Sequence, residues 1–273
     1  MIKVDGKVID IGSFPDGTVL IKCDPTGRQK VGHVKITWYY ENDREFLALM
    51  YIVKHFRANG VDNIYLYMPY IPNARMDRVK NSEDVFTLKY FAELLNSLDL
   101  TRVEVLDPHS SVSEALIDNV MAISPRCYIE HVLGNIMPNL RKIHEPDADI
   151  LMFYPDEGSV KRYSGMVKLP YAFGIKKRNW ETGVIEGLDV AGAVDQIAGR
   201  DILIVDDICS RGGTFYHSAK KLKEFGANDI YLYVSHCENT ILEGDLLKGD
   251  LIKKVFTTNS IFTKSHEKIE VLK

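Results

Sequence analysis

Two adjacent carboxylates, Asp206 and Asp207, followed by Ser210-Arg211-Gly212-Gly213-Thr214, are residues suited to chemistry on a phosphorylated sugar. Carboxylates accept hydrogen bonds from ribose hydroxyls or hold a magnesium ion that escorts phosphates. Glycines let the backbone come close to a ligand, and amides at a helix start can cradle a phosphate. The apolar run Ile202–Val205 reads as a strand covered on both faces, closed by the acidic pair. The turn then leads into a helix expected over Tyr216–Phe225. Strand, acidic pair and phosphate turn together predict a site for a phosphorylated ribose.

The elements that must position these groups repeat along the chain. Strands are expected at Ile64–Met68, Val103–Leu106, Ile150–Tyr154, Met166–Leu169, Ile202–Val205 and Ile230–Val234, with a further strand region at Val255–Thr258. Helical stretches run from about Asp43 to Asn59 and from Val85 to Ser97. Such alternation predicts a doubly wound α/β architecture. The series occurs twice, before and after the polar segment Asn139–Asp149. Two domains are therefore expected, 1–140 and 141–273. Up to Trp38 the short alternating segments, with Pro15-Asp16-Gly17 and Pro25-Thr26-Gly27, read as strands and a hairpin.

Ligands of such sheets bind beyond the carboxyl ends of the strands. There the sequence offers Arg75, Asp77 and Arg78 after the first strand of the series, and Asp107 and His109 after the second. Asp156, Glu157, Gly158 and Ser159 follow the third. Lys176-Lys177-Arg178 falls in a polar stretch between two strand regions. An arginine at a strand end presents a planar fork to phosphate oxygens.

With 34 Lys and Arg against 38 Asp and Glu, the net charge of −4 gives no electrostatic footprint for nucleic acid. Positive charge must be concentrated locally, or supplied by metal, for a phosphate-rich ligand to bind. Cys23, Cys127, Cys209 and Cys237 form no CxxC pair, so neither a zinc site nor a disulfide framework is expected. The amino terminus has no signal-peptide pattern, and no apolar run reaches membrane-spanning length. A cytoplasmic protein without membrane contact is the expectation.

The segment Asp206 to Thr214 resembles the phosphoribosyl-pyrophosphate (PRPP) binding motif. Asp206, Asp207, Gly212, Gly213 and Thr214 match it, while Ser210 and Arg211 stand where Asp and Thr are usual. Pro-Tyr-x-Pro-x-Ala-Arg-x-Asp-Arg, Asp-x-His-Ser and Pro-Asp-x-Gly precede it, in the order found in ribose-phosphate pyrophosphokinases. Phosphoribosyltransferases share only the last motif. The resemblance extends from Phe14 to about Asn259 and implies two homologous, doubly wound parallel-sheet domains of phosphoribosyltransferase type. The first would contribute to ATP binding and oligomer contacts, and ATP would lie between the two.

The resemblance also implies a role for each matching residue. Phe14 and Asp16 would hold adenine on a loop supplied to a neighbouring subunit, with Thr18 replacing a usual Glu. Arg75 and Asp77 would contact the nucleotide, with Met76 in place of Gln. His109 would meet ATP phosphates and metal, and Asp156 would bind metal. Gly158-Ser159 would form a diphosphate turn. Lys176 and Arg178 would lie on a mobile loop and stabilise charge on the reacting phosphates. Asp206 and Asp207 would hold ribose hydroxyls, and Ser210, Arg211, Gly212, Gly213 and Thr214 the 5-phosphate.

The expected reaction is Mg²⁺-dependent diphosphate transfer from ATP, the co-substrate, to the anomeric hydroxyl of ribose 5-phosphate. A homo-oligomer, at least a dimer, is implied. Three alternatives stand beside this reading. They are the same chemistry on a larger acceptor such as ADP-ribose, phosphoribosyl transfer, and a non-catalytic regulatory subunit. Arg211 raises the first, since a long cation in the turn suits a diphosphate acceptor.

Overall fold

The computed structural model describes residues 1–27, 32–137, 149–178 and 185–273, with the backbone alone for 176–178 and 185–188. Two compact units divide between Ser124 and Pro125.

In the first unit, β1 (Ile2–Val4) and β2 (Lys7–Val8) form an antiparallel pair. β3 (Ile11–Ser13) and β4 (Val19–Ile21) form a separate hairpin around Phe14–Thr18. The βα series follows: β5 (His33–Trp38), α1 (Asp43–Ala58), β6 (Asn63–Tyr67), α2 (Thr87–Asn96), β7 (Arg102–Leu106), α3 (Ser111–Leu116) and β8 (Val120–Ile123). The sheet order is β2-β1-β5-β6-β7-β8, parallel from β5 to β8 and antiparallel at its β1 edge. α1 starts where the Asn42 side chain accepts from the Glu45 amide, with Asp43 and Glu45 in its first turn and His55 and Arg57 in its last. Leu49, Ile52, Val53 and Phe56 bury its inner face beside Trp38 of β5. Each such side chain contributes roughly 1.5–3 kcal/mol by leaving water.

The second unit contains α4 (Arg126–Ile136), β9 (Ile150–Tyr154), α5 (Glu157–Tyr163), β10 (Tyr171–Arg178), β11 (Ile185–Gly192), β12 (Asp201–Cys209), α6 (Gly213–Glu224), β13 (Ile230–Cys237), β14 (Lys254–Thr258) and β15 (Ile269–Leu272). The order is β11-β10-β9-β12-β13-β14-β15, parallel except between β10 and β11. Helices cover both faces. Ile129, Leu133 and Tyr163 of α4 and α5 pack with Met152, Leu203, Val205 and Tyr233. Phe215, Ala219 and Leu222 of α6 pack with Leu151, Ile204, Leu232 and Val234 on the other. Continuous burial along β9 and β13 is the consequence, and it explains their unbroken apolar runs.

Parallel α/β sheets therefore form both units, each with an antiparallel pair at one edge. Two particulars differ from the sequence reading. The division falls before α4 rather than near residue 140, because α4 buries Ile129, Val132 and Leu133 in the second unit's core. Most of the polar segment 139–149 lies outside the described residues. Met166–Leu169 is not a strand: Val167 and Leu169 are buried without a ladder, and the strand begins at Tyr171.

Candidate functional site

The acidic pair does not end its strand. β12 runs through Asp206 and Asp207 to Cys209, because β13 continues pairing alongside it as far as Cys209↔Cys237. β9, its neighbour on the other side, stops at Tyr154. Beyond that shorter strand Asp156 caps α5, and its Oδ1 accepts from the Ser159 amide at 3.1 Å. The Ser159 hydroxyl in turn lies 2.8 Å from Asp206 Oδ1 and 3.2 Å from Asp156 Oδ1. Two motifs separated by 47 residues thus meet at adjacent strand ends. Gly158 stands where a Cβ would lie 3.2 Å from Asp156 Oδ1.

The two aspartates have different surroundings. Asp207 is only 5% exposed and pairs with Arg162 of α5, Oδ2 to Nη1 at 3.3 Å. Asp206 also accepts from the Asp207 amide at 3.0 Å. Burial pushes the Asp206 carboxyl well above the usual carboxylate range, and the charges of Asp207 and Asp156 add to the shift. A hard cation near these carboxylates would relieve that repulsion.

The turn after β12 is shaped by contacts from far along the chain. Gly212 has φ +78°, and a Cβ there would come within 2.9 Å of Leu246 Cβ. A Cβ on Gly244 would sit 1.9 Å from the Arg211 carbonyl oxygen. Both positions are therefore closed to side chains as the backbone stands. Gly213, by contrast, faces open space. α6 makes its first intrahelical bond from the Tyr216 amide to the Gly212 carbonyl. The amides of Gly213, Thr214 and Phe215 precede that bond at the positive end of the helix, an arrangement that suits a phosphate.

Ser210 and Arg211 are tied to the 3₁₀ turn Asn239–Glu243 that follows β13. Ser210 Oγ lies 3.3 Å from Thr240 Oγ1, which reaches Glu238 Oε2 at 3.1 Å. Arg211 Nη2 pairs with Glu243 Oε2 at 3.1 Å on the exposed surface. The expected cation of the turn is thus drawn toward Glu243.

Lys176 and Arg178 also differ in setting from the expected loop. Their backbone belongs to β10, opposite Leu188 and Ile185 of β11, with an irregularity between Lys177 and Arg178. Their side chains lie outside the described residues.

In the first unit, the segment after β6 carries Arg75, exposed, and Asp77, buried. Arg78 grips Asp77 with both arms of its fork, at 2.7 and 2.9 Å. That grip is the main reason the Asp77 carboxyl is held below its ordinary value, with His109 adding a smaller pull. The segments after β6 and β7 therefore come close. His109 sits in the turn after β7, behind Asp107, whose φ of +42° is unusual for a residue with a side chain. On the β3–β4 hairpin, Phe14 is 50% exposed at the tip. Asp16 accepts from the Thr18 amide at 3.0 Å and hydroxyl at 2.7 Å, which lowers its pKa. Thr18, where a Glu was usual, thus fixes Asp16.

Among the described residues no three His, Cys, Asp or Glu side chains converge as a self-contained metal site. The Asp156–Ser159–Asp206 group is nevertheless a hard oxygen set. It fits Mg²⁺, which keeps several waters and takes one or two protein carboxylates beside substrate oxygens. No helix among the described residues is long and apolar enough to cross a membrane.

No protein-family model matches the chain. The ribose-phosphate pyrophosphokinase of Bacillus subtilis is 28% identical over 268 residues, 95% of this chain and 79% of that protein. The Corynebacterium ammoniagenes protein of the same name is also 28% identical, with the same coverage of both chains. This chain resembles ribose-phosphate pyrophosphokinases over nearly its whole length. The crystal structure of phosphoribosylpyrophosphate synthetase from Mycobacterium smegmatis superposes with a TM-score of 0.76, covering 97% of this chain and 85% of that one at 20% identity. At that identity the superposition establishes the fold, and the two parallel-sheet units are those of this pyrophosphokinase-like architecture.

Sequence reasoning gave Arg162 no role and missed Glu243 and Gly244. Arg162 lies five residues beyond Glu157 in a helix with no motif of its own, and only the fold brings it to Asp207. Gly244 carried no signal, because its need for a bare backbone comes from residue 211.

Proposed function

We propose that this protein is a Mg-ATP-dependent diphosphotransferase acting on ribose 5-phosphate. The observation that carries the reading is the junction of Asp156, Ser159 and Asp206 beside the open amide turn of Gly213–Phe215, in a chain similar throughout to pyrophosphokinases. Asp206 orients the ribose hydroxyls, and the first-turn amides of α6 hold the 5-phosphate. Asp207 contributes through its buried pair with Arg162. Asp156 is the protein carboxylate for Mg²⁺, which supplies charge neutralisation on the transferring phosphates when bound. In the first unit, Arg75 and His109 contact ATP phosphates and Asp77 anchors Arg78 beside them.

The anomeric oxygen of the sugar attacks the β-phosphorus of ATP. A new oxygen–phosphorus bond forms while the bond from the β-phosphorus to the α,β-bridging oxygen breaks. AMP departs with that electron pair, and the anomeric proton passes to solvent or a base. Lys176 and Arg178 are assigned to the negative charge that builds on the phosphate oxygens. Phe14 and Asp16 serve the adenine of a neighbouring subunit, so the active protein is at least a dimer. A fully active monomer at assay concentration contradicts that assembly.

The similarity to proteins named ribose-phosphate pyrophosphokinases supports ribose 5-phosphate ahead of ADP-ribose, and the exposed pairing of Arg211 with Glu243 adds little to either side. The test is AMP release from ATP and Mg²⁺ with each acceptor in competition, without a nucleobase. Expected is turnover with kcat/KM favouring ribose 5-phosphate. Preference for ADP-ribose reverses the acceptor assignment. Activity only with PRPP and a base makes it a phosphoribosyltransferase, and none in either assay leaves a regulatory subunit.

A further inference from the structure

Ser159 holds the two halves of the second unit's site together with two different donors. Its amide donates to Asp156 Oδ1 at 3.1 Å. A serine hydroxyl carries a single proton. The shorter of its two oxygen contacts, 2.8 Å, is to Asp206 Oδ1 rather than to Asp156 at 3.2 Å. The residue is 5% exposed, so water has little access to replace either bond. Its place in the first turn of α5, whose cap is Asp156 itself, fixes the backbone donor. The strand ends it spans belong to β9 and β12, which are hydrogen-bonded neighbours only as far as Phe153 and Ile204. Beyond that register the Ser159 side chain connects the two motifs.

We propose that Ser159 is a positioning residue that couples the metal-binding carboxylate to the ribose-binding carboxylate, so that Mg²⁺ and the sugar phosphate bind cooperatively. This rests on the assignments of Asp156 and Asp206 made above. A cation drawing on Asp156 sets the α5 first turn, and through Ser159 Oγ that turn sets the rotamer of Asp206. The acceptor sugar then meets a carboxylate already aimed at its hydroxyls, which lowers the ordering cost of binding. Linkage requires the effect to be reciprocal: the sugar phosphate must tighten Mg²⁺ by the same factor. Couplings of this kind are typically about 5–150-fold.

Calorimetric titration of ribose 5-phosphate into the full-length protein, with and without millimolar Mg²⁺ alone, measures that factor. In the wild type Mg²⁺ should tighten ribose 5-phosphate at least about fivefold. Ser159→Ala should bring the factor near one while inorganic phosphate, held by the α6 amides, binds as before. Ser159→Thr, which keeps the hydroxyl, should restore the coupling. Thermal unfolding of each variant distinguishes lost coupling from lost structure. Coupling that persists in folded Ser159→Ala, or is absent from the wild type, overturns the proposal. Failure of Ser159→Thr to restore it in a folded protein does so as well. AMP release by the wild type is measured separately. Its absence alongside intact Ser159-dependent coupling would fault the assigned reaction and not the link.

Discussion

Both units fix charged groups at their candidate sites, but they hold them by different means. In the first, Asp77 is gripped by Arg78, its neighbour in sequence. Asp16 is fixed by Thr18, two residues on. In the second, Asp206 is bound by Ser159 across 47 residues, and the phosphate turn is shaped by Leu246 and Gly244, more than thirty positions later. Local contacts survive small shifts of the surrounding sheet. Long-range contacts exist only when the whole unit is folded, so the second unit should be the less tolerant of change.

The largest expected effect lies on the β10 arm. Lys176→Ala and Arg178→Ala should each lower kcat about 10²–10³-fold, the usual cost of removing one focused donor from a transition state. Steady-state kinetics with ribose 5-phosphate measure this. Wild-type turnover in either variant would return the arm to a solvated basic strand.

Gly244→Ala is next. With a Cβ aimed at the Arg211 carbonyl, something must move, and overpacking of this sort costs about 1–3 kcal/mol. If the phosphate turn yields, the acceptor KM should rise roughly 10–100-fold with little change for ATP. An unchanged acceptor KM in folded Gly244→Ala would mean that the turn is not governed by its distant neighbours.

Much of the architecture was legible because its cause is local and periodic. The runs at Ile150–Tyr154 and Ile202–Val205 are apolar throughout since helices cover both faces, and the helical stretch expected from about Asp43 to Asn59 is α1. The acid pair and glycines marked the candidate turn for the same reason. What sequence could not reveal was the use of each group. That β12 passes through Asp206 and Asp207 depends on β13 being long enough to pair with it. That Lys176–Arg178 lies on a strand depends on β11, whose residues carry no strong strand pattern. That α4 belongs with the second unit is decided by where Ile129 and Leu133 find apolar partners.

A smaller effect should come from the first unit. Arg78→Gln releases Asp77, so the KM for ATP should rise while kcat with saturating nucleotide stays near wild type. The comparison between units would fail if this local pair cost as much turnover as the β10 arm.

A separate effect should appear as a pH profile of stability. The Asp206 carboxyl is raised in the folded state, toward about 8. A group raised on folding keeps its full contribution below its unfolded pKa and loses it as pH climbs through the folded one. The ligand-free protein should therefore lose stability between about pH 4 and pH 8, and Asp206→Asn should flatten that decline. Thermal unfolding without Mg²⁺ across this range checks it. An unchanged slope in Asp206→Asn would assign the burden to another group.

The closeness of Gly244 to the Arg211 carbonyl bears on how portable this motif is. Strand, acid pair and glycine turn make a continuous stretch, residues 202–214, that is easily copied onto another α/β scaffold. Such a graft would carry the letters of the phosphate cradle without the mould that shapes it. For the turn to keep its form, the segment from Glu238 to Leu246 must travel with it, so the transferable unit is a pair of strand–loop modules and not a peptide.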